Sequence, residues 1–242
     1  MVICMKRAKN TFFKFKQFAV HQDQTAMKVC TEACILGAMA PVESGKHILD
    51  IGTGTGVLSL MMAQRAPQAQ LDAVELDAEA FGQATFNVQN SPFAQQIRVH
   101  HQGIQEFTSG FLYDFIVSNP PFYQDSLRSD DLKRNQALHA HTLNFDELLI
   151  AINRLLHPAG KAVILLPLFE MERFLHKAQS FSLYLQNCLT IRNQPDREVF
   201  RQIGTFGRQQ TFVQESALSI RNADDSYSDD FVALLKDYYL IF

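Results

Sequence analysis

The stretch Asp50-Ile51-Gly52-Thr53-Gly54-Thr55-Gly56 decides the fold, because it joins a short apolar strand to a helix through three alternating glycines. Glycine adopts backbone angles that other residues avoid, and it lets a ligand approach the main chain closely. The helix that follows offers unpaired N–H groups at its N-terminus. A dinucleotide-binding loop needs glycine at the position of Val57, and a P-loop needs a Gly-Lys-Ser/Thr ending, so both are excluded. The stretch therefore predicts a ligand-binding turn of another kind.

Strands and helices alternate on both sides of this turn. The predicted strands cover 46–51, 70–76, 97–101, 114–118 and 161–166, with strand-like runs near 183–191, 199–206 and 211–220. The predicted helices cover 26–40, 57–65, 78–89, 144–155, 169–180 and 228–242. Such alternation is typical of an α/β protein with a parallel sheet and helices on both faces. Ligands bind these sheets beyond the carboxyl ends of the strands. The ends that matter here are those at Ile51, Leu76, His101 and Ser118.

An acid stands at the second of these ends. Glu75 closes its strand about twenty residues after the glycines, where a carboxylate can accept two hydrogen bonds from the ribose hydroxyls of a nucleoside. Asp77 is expected to cap the helix that begins at residue 78. The first two strand ends together predict a nucleoside-containing cofactor.

The fourth strand leads directly into Asn119-Pro120-Pro121-Phe122. Two prolines fix φ and remove two N–H donors, which leaves carbonyl groups unpaired. The Asn119 side-chain oxygen and the Pro120 carbonyl can accept both hydrogens of one planar amino group, while Phe122 offers a face for stacking a base. Two acceptors on such an amine turn its lone pair toward an electrophile. The tetrapeptide therefore predicts group transfer to an amino nitrogen, without a metal or a nucleophilic serine or cysteine.

These motifs resemble those of class I S-adenosylmethionine-dependent methyltransferases that carry an Asn-Pro-Pro-Phe/Tyr motif. More closely, the chain is similar to the bacterial tRNA1(Val) (adenine-37-N6)-methyltransferase family. The similar stretches are 15–18, 27–38, 119–127, 141–145 and 234–240, so the resemblance spans nearly the whole chain. Cys30 stands where glycine is common in that family, and Glu32 stands where aspartate is common.

The resemblance implies a Rossmann-like fold with a seven-stranded, mostly parallel sheet, one antiparallel strand and helices on both faces. It implies S-adenosyl-L-methionine as cofactor and the exocyclic N6 of an adenine in tRNA, adenine 37 of tRNA1(Val), as methyl acceptor. The implied catalytic residues are Asn119, Pro120 and Phe122. The implied cofactor-binding residues are Asp50, Gly52, Thr53, Gly54, Gly56, Glu75, Leu76, Gln102, Ile104, Asn119 and Thr31, with Thr31 and Lys28 near the methionine end.

The third strand end departs from the family pattern. Gly103 stands where the family often has an acid that holds the adenine amino group. Gln102 or backbone groups would then replace that acid, and Ile104 would pack on the adenine ring.

Two other amino-group methyltransferases stay open as alternatives. A guanine-N2 methyltransferase of ribosomal RNA shares the phenylalanine, although many have two tandem halves. A glutamine N5-methyltransferase of proteins usually carries tyrosine at the position of Phe122 and a helical N-terminal domain, for which the residues before the first strand are too few. A DNA adenine methyltransferase usually has a target-recognition insert, so DNA is not an expected partner. An inactive scaffold is disfavoured by the intact Asn119 and Glu75.

Charge is unevenly distributed along the chain. The net charge is −3, from 22 Lys and Arg against 25 Asp and Glu, which argues against nucleic-acid binding by bulk charge. Residues 1–16 carry five cations and no acid, interleaved with phenylalanines, whereas residues 224–237 carry five aspartates. The basic segment is expected to hold RNA; the alternative is that Phe12, Phe15 and Phe18 pack on the core from one face of a helix.

The chain is expected to form one domain overall with two parts. Residues 1–45 comprise the basic, aromatic segment and a helix that borders the cofactor. Residues 46–242 form the methyltransferase catalytic domain.

Composition excludes several other classes of protein. Apolar residues make up 47% and charged residues 19%, enough for a large core and too little charge bias for a disordered chain. No apolar run approaches about 18 residues and no signal peptide is recognised, so a cytoplasmic protein without a membrane partner is expected. The four cysteines are too few and too scattered for a disulfide framework. Cys30 and Cys34 are expected to be buried thiols, and no metal is expected.

Overall fold

The computed structural model describes residues 11–25, 27–121 and 143–242. Its strands are β1 (Phe12–Lys14), β2 (Ala19–His21), β3 (His47–Ile51), β4 (Gln70–Glu75), β5 (Ile97–His101), β6 (Tyr113–Ser118), β7 (Leu156–Leu166), β8 (Tyr184–Arg192), β9 (Val199–Gly207) and β10 (Gln214–Ser219). Its helices are α1 (Thr31–Met39), α2 (Val57–Arg65), α3 (Ala78–Gln89), α4 (Phe145–Leu155), α5 (Leu168–Ala178) and α6 (Asp229–Leu235), with a 3-10 turn at Gln179–Phe181.

Eight strands form one sheet in the order β10-β8-β9-β7-β6-β3-β4-β5. All of them run parallel except β9, which is antiparallel to both β7 and β8. The expected fold class, with its single antiparallel strand, is confirmed. The sheet has one strand more than the expected seven, because β10 pairs with β8 at the edge of the sheet.

Two apolar cores cover the two faces of the sheet. Along β7, Val163 and Leu165 belong to the core under α1, α2 and α6, while Ile164 and Leu166 belong to the core under α4 and α5. Central strands of a parallel sheet are buried on both faces, and they read as continuous apolar runs for that reason. The strands are thereby fixed in place, and the carboxyl ends of the parallel strands lie at one edge of the sheet.

Local capping explains where several helices begin. Asp77 accepts a hydrogen bond from the backbone N–H of Ala80 at 2.8 Å, which confirms it as the N-cap of α3. Asn144 and Glu147 form a reciprocal capping box at the start of α4. The prediction that a helix starts at residue 26 is wrong: α1 starts at Thr31, because Val29 N–H donates to the side chain of Gln22 and the chain is still extended at Cys30.

The two ends of the described chain differ from their predictions. Residues 12–21 form an antiparallel hairpin, so the helix considered for the phenylalanines is wrong. Phe15 and Phe18 are buried and their rings stack at 4.5 Å, whereas Phe12 is about half exposed. The last helix ends at Leu235 instead of residue 242, because the chain turns there and Tyr238 donates its hydroxyl to the Met61 carbonyl at 3.0 Å.

Candidate active site

The register of the central strands brings the predicted site residues to one edge. Ile51 of β3 pairs with Ser118 of β6 and with Val74 of β4. Asn119, Gly52 and Glu75 are the next residues along these three strands. Neighbouring strands lie about 4.8 Å apart, so the three residues lie within roughly 10 Å of one another. The site therefore forms where β6, β3 and β4 end.

The glycine-rich turn provides an open backbone surface. Gly52, Gly54 and Gly56 have φ angles of 72°, 57° and 81°, in the left-handed region that favours glycine. A Cβ built on Gly52 or Gly54 would have no atom within 4 Å, so the space beside both residues is free of protein atoms. The turn leads into α2, and Gly56 is its N-cap. Such a cradle fits the close approach of a nucleoside cofactor.

The Glu75 carboxylate ties the turn to the end of β4. Its Oε2 atom accepts a hydrogen bond from Gly54 N–H at 2.8 Å. Its Oε1 atom accepts from the N–H groups of Leu76 at 2.9 Å and Asp77 at 3.0 Å. A carboxylate oxygen can accept about two hydrogen bonds, so Oε2 retains capacity for a ribose hydroxyl. Glu75 therefore stabilises the turn through its hydrogen bonds and can also accept a hydrogen bond from a ligand at the edge of the turn.

Asp50 lies buried beneath the same turn. Its Oδ2 atom accepts hydrogen bonds from the hydroxyls of Thr53 at 2.6 Å and Ser59 at 2.8 Å. Its Oδ1 atom is buried and has no partner among the described residues. Burial raises the pKa of Asp50 to about 6; the Thr53 and Ser59 hydroxyls oppose this rise, while the charge of Glu75 adds to it. An unpartnered buried carboxylate oxygen fits the binding of a cationic ligand above the turn.

The raised pKa of Asp50 makes the free energy of unfolding depend on pH. The unfolded chain loses this proton near the ordinary value of 3.8, whereas the folded chain keeps it until about pH 6. The Asp50 contribution to stability is therefore fully present below pH 4 and is lost as the pH rises to 6, by about 3 kcal/mol. Denaturant unfolding between pH 4 and pH 7 should show this slope, and Asp50→Asn should remove it. An unchanged slope in the variant would assign the effect to another group.

The third strand end is held by the backbone. Gln102 N–H donates to the Glu75 carbonyl at 3.1 Å, and Leu76 is about half exposed beside it. Ile104 is 5% exposed and packs in the core with Ile51 and Val74, so little of its side chain faces a ligand. Gly103 places no side chain here. Leu76 thus provides more apolar surface at this end than Ile104 does.

Sequence reasoning did not find Arg154, which orders this loop. Its guanidinium, on α4, donates to the carbonyls of Phe107 at 2.5 Å and Ile104 at 2.9 Å. These partners lie about fifty residues earlier in the chain, so no local spacing signals the contact. Arg154 fixes the loop that follows β5 without taking part in the predicted chemistry.

The fourth strand end starts at Asn119, which is partly buried, and continues to Pro120, which is buried. Ser118, the residue before, donates its hydroxyl to the Ile51 carbonyl at 2.8 Å. This bond couples the end of β6 to the start of the glycine-rich turn. Phe122 lies outside the described residues, as do residues 1–10 of the predicted basic segment.

Thr31 is the first residue of α1, whose body packs on α2. The next residue, Glu32, forms an ion pair with Arg201 of β9 at 3.5 Å. Gln202, which follows Arg201, pairs with Leu166, the last residue of β7. The N-terminus of α1, with Thr31, therefore stands at the same edge of the sheet as the site.

The described part of the chain contains neither a metal site nor a membrane-spanning helix. Within residues 11–25, 27–121 and 143–242, no group of three or more histidine, cysteine or acidic side chains is arranged to hold a metal ion. In the same ranges, no helix is long and apolar enough to cross a membrane. Cys30, Cys34 and Cys188 are free thiols, and burial raises the pKa of Cys30 to about 11.

Comparison with known proteins places this arrangement in a family. The methyltransferase small domain family matches residues 29–184. A tRNA1(Val) (adenine(37)-N6)-methyltransferase of Dyadobacter fermentans is 50% identical over 97% of this chain and 99% of its own length. A protein of the same name from Pseudoalteromonas translucida is 40% identical over 94% of this chain and 98% of its own length.

A solved structure shows the same fold. The crystal structure of a predicted O-methyltransferase from Agrobacterium tumefaciens superposes with a TM-score of 0.63, at 14% identity, over 85% of this chain and 95% of its own. The methyltransferase activity and the S-adenosylmethionine cofactor predicted from the sequence are confirmed. The strand ends and the glycine-rich turn form the expected site, and relatives of 40% and 50% identity match the chain over nearly its whole length. The chain therefore belongs to the tRNA1(Val) (adenine(37)-N6)-methyltransferase family.

Proposed function

We propose that the protein methylates the exocyclic N6 of adenine 37 in tRNA1(Val). The observation that carries this proposal is the register of β6, β3 and β4, which sets Asn119 directly beside the glycine-rich turn and two strands from Glu75. An amino-group acceptor and a nucleoside cradle are thereby neighbours. The names of the full-length relatives support the choice of tRNA as the substrate.

Asn119 and Pro120 would hold the target amine. The side-chain oxygen of Asn119 and the Pro120 carbonyl would accept its two hydrogens, which favours a more tetrahedral nitrogen whose lone pair is less delocalised into the ring. When bound, S-adenosylmethionine supplies an electrophilic methyl group on a sulfonium. The two acceptors would aim the nitrogen lone pair at that methyl carbon, and water would take the proton that the amine gives up on methylation. Alignment supplies most of the rate, and Phe122 would stack on the adenine.

The other predicted residues would hold the cofactor. Gly52, Thr53, Gly54 and Gly56 present their backbone to it, and Glu75 accepts from its ribose. Asp50 balances positive charge from beneath the turn, while Thr31 borders the methionine end. Leu76, Gln102 and Ile104 surround the adenine, with Leu76 giving the larger apolar surface.

Label transfer tests the class of substrate. Tritiated cofactor is incubated with the protein and with total RNA, total DNA or total protein, and the labelled products are hydrolysed and identified. We expect label in RNA, recovered as N6-methyladenosine, and none in DNA. Recovery of N2-methylguanosine or of methylglutamine would replace this proposal with the corresponding alternative.

RNA would be held along the edge that carries the site. Cys188 of β8 lies level with Ser118, and the strand runs four residues further to Arg192, so the β8–β9 hairpin extends about 13 Å beyond the end of β6. Arg192, Arg197 and Arg201 lie on this extension. Arg208 lies at the opposite end of β9, where it donates to the Asn153 carbonyl at 2.8 Å.

The basic N-terminal segment is the second candidate for RNA binding. It belongs to the first part of the chain, residues 1–45, which with the catalytic part, 46–242, forms one domain overall. The protein would act in the cytoplasm. Deleting residues 1–10 removes Lys6, Arg7 and Lys9 and leaves the buried Phe15 and Phe18 in place. Three lost phosphate contacts should lower the slope of log affinity against log salt by roughly 2 to 3, with cofactor affinity unchanged. Filter binding of tRNA at several salt concentrations measures this slope, and Arg98→Ala on β5 is the control for a lost exposed charge. An unchanged slope and KM after the deletion would rule the segment out.

A further inference from the structure

An exposed aromatic side chain follows β7, the strand next to β6, in the first turn of α5. Phe169 lies in the first turn of α5 and is 62% exposed, and the preceding Leu168 is 42% exposed. The guanidinium carbon of Arg173, one turn later, lies 5.8 Å from the centre of the Phe169 ring. Neither Phe169 nor Arg173 belongs to the predicted catalytic or cofactor-binding residues.

The position of Phe169 follows from the register of β6 and β7. Ser118 pairs with Ile164, so Asn119 lies level with Leu165. Phe169 is four residues beyond Leu165, so at most about 13 Å of chain separates it from that level. The chain segments that lead to Asn119 and to Phe169 therefore start from adjacent strands, β6 and β7, at the same edge of the sheet.

The surface continues from Phe169 to the basic hairpin. β7 pairs with β9, and Arg201 stands one residue beyond the pair formed by Leu166 and Gln202. β7, the strand that leads to Phe169, thus lies between β6, which leads to Asn119, and β9, which carries Arg201. A chain that runs from the end of β6 to the hairpin arginines passes the end of β7, where the segment with Phe169 begins.

An exposed ring beside a guanidinium suits an unpaired nucleotide. Every base has a π face that can stack on an aromatic side chain, and an arginine beside the ring can meet the phosphate of the same nucleotide. An adenine held at Asn119 must leave its stack, so a neighbouring base also loses a stacking partner. The Phe169 ring can replace that partner.

We propose that Phe169 and Arg173 form a stacking platform for a nucleotide adjacent to the methylated adenine. The proposal rests on the proposed function, because it names the part of the RNA that this surface binds. Phe169 stacks on the base and Arg173 contacts the phosphate. The platform acts in binding RNA and leaves the methyl-transfer step to Asn119 and Pro120.

The test compares two exposed phenylalanines. Phe212 is 99% exposed and lies between the end of β9 and the start of β10, the outermost strand, which stands four strand positions from β6. KM and kcat for a tRNA transcript are measured for Phe169→Ala and Phe212→Ala, and cofactor affinity is measured by calorimetry. Phe169→Ala should raise KM by about 5- to 100-fold with unchanged cofactor affinity, whereas Phe212→Ala should leave KM unchanged.

Conservative variants separate stacking from simple burial. Phe169→Tyr should keep the wild-type KM, and Phe169→Leu should lose as much as the alanine variant. An unchanged KM in Phe169→Ala, or full recovery in Phe169→Leu, would overturn the platform even though the wild-type protein methylates RNA. If the wild-type protein methylates no RNA, the proposed function itself fails.

Discussion

Asn119→Ala should lower kcat by about 100- to 1,000-fold while cofactor affinity stays close to that of the wild type. The reason is that the Asn119 oxygen meets the amino hydrogens most strongly when positive charge develops on the nitrogen, so its loss acts on the transition state. The residue is only partly buried and Ser118 still anchors the end of β6 to β3, so the fold should be retained. Steady-state kinetics on a tRNA transcript measure the effect, and calorimetry measures cofactor binding.

Asn90→Ala is the matched control for this variant. Asn90 is an exposed asparagine at the C-terminal end of α3, and its side chain donates to the Phe86 carbonyl at 2.8 Å. It should keep full activity. If Asn119→Ala keeps more than a tenth of the wild-type kcat, the amine is held by other groups and the assignment of Asn119 fails.

Glu75→Ala should weaken cofactor affinity by about 30- to 1,000-fold, equivalent to roughly 2–4 kcal/mol. The variant removes the ribose acceptor and also releases three N–H groups, those of Gly54, Leu76 and Asp77, which the carboxylate holds in place. Glu75→Gln keeps the volume of the side chain, but its amide nitrogen cannot accept from an N–H group. That variant should still lose about 10-fold or more. Calorimetric titration with the cofactor measures both.

Glu79→Ala provides the control for charge alone. Glu79 lies four residues further on, in the first turn of α3, and it is exposed. Its removal should change cofactor affinity little. Wild-type affinity in Glu75→Ala would show that the cofactor site is misplaced, whereas an equal loss in Glu79→Ala would make the effect one of general electrostatics.

The strand ends could be predicted from the sequence because each one carries a local signal. The turn from Asp50 to Gly56 and the Asn-Pro-Pro-Phe tetrapeptide are specific over a few residues, and Pro67 and Asp77 mark the limits of neighbouring helices. The bounds predicted for α2 and α3 are those of the structure. Convergence of the ends then follows from parallel pairing, which aligns carboxyl ends at one edge.

Contacts between distant parts of the chain gave no such signal. Phe15 pairs with Tyr239 across more than two hundred residues, which is why the N-terminal stretch forms a hairpin on the core. Arg154 reaches the loop at Ile104 from another element. The strand predicted at 161–166 begins instead at Leu156, because pairing with Tyr113 extends β7 past Pro158 and Gly160.

Methylation of defined transcripts tests the central claim most directly. A tRNA1(Val) transcript and the same transcript with guanine in place of adenine 37 are incubated with the protein and tritiated S-adenosylmethionine, and the nucleosides are then separated. We expect N6-methyladenosine from the first transcript, mapped to position 37, and no label in the second. Equal labelling of both transcripts, or label recovered as another nucleoside, would contradict it.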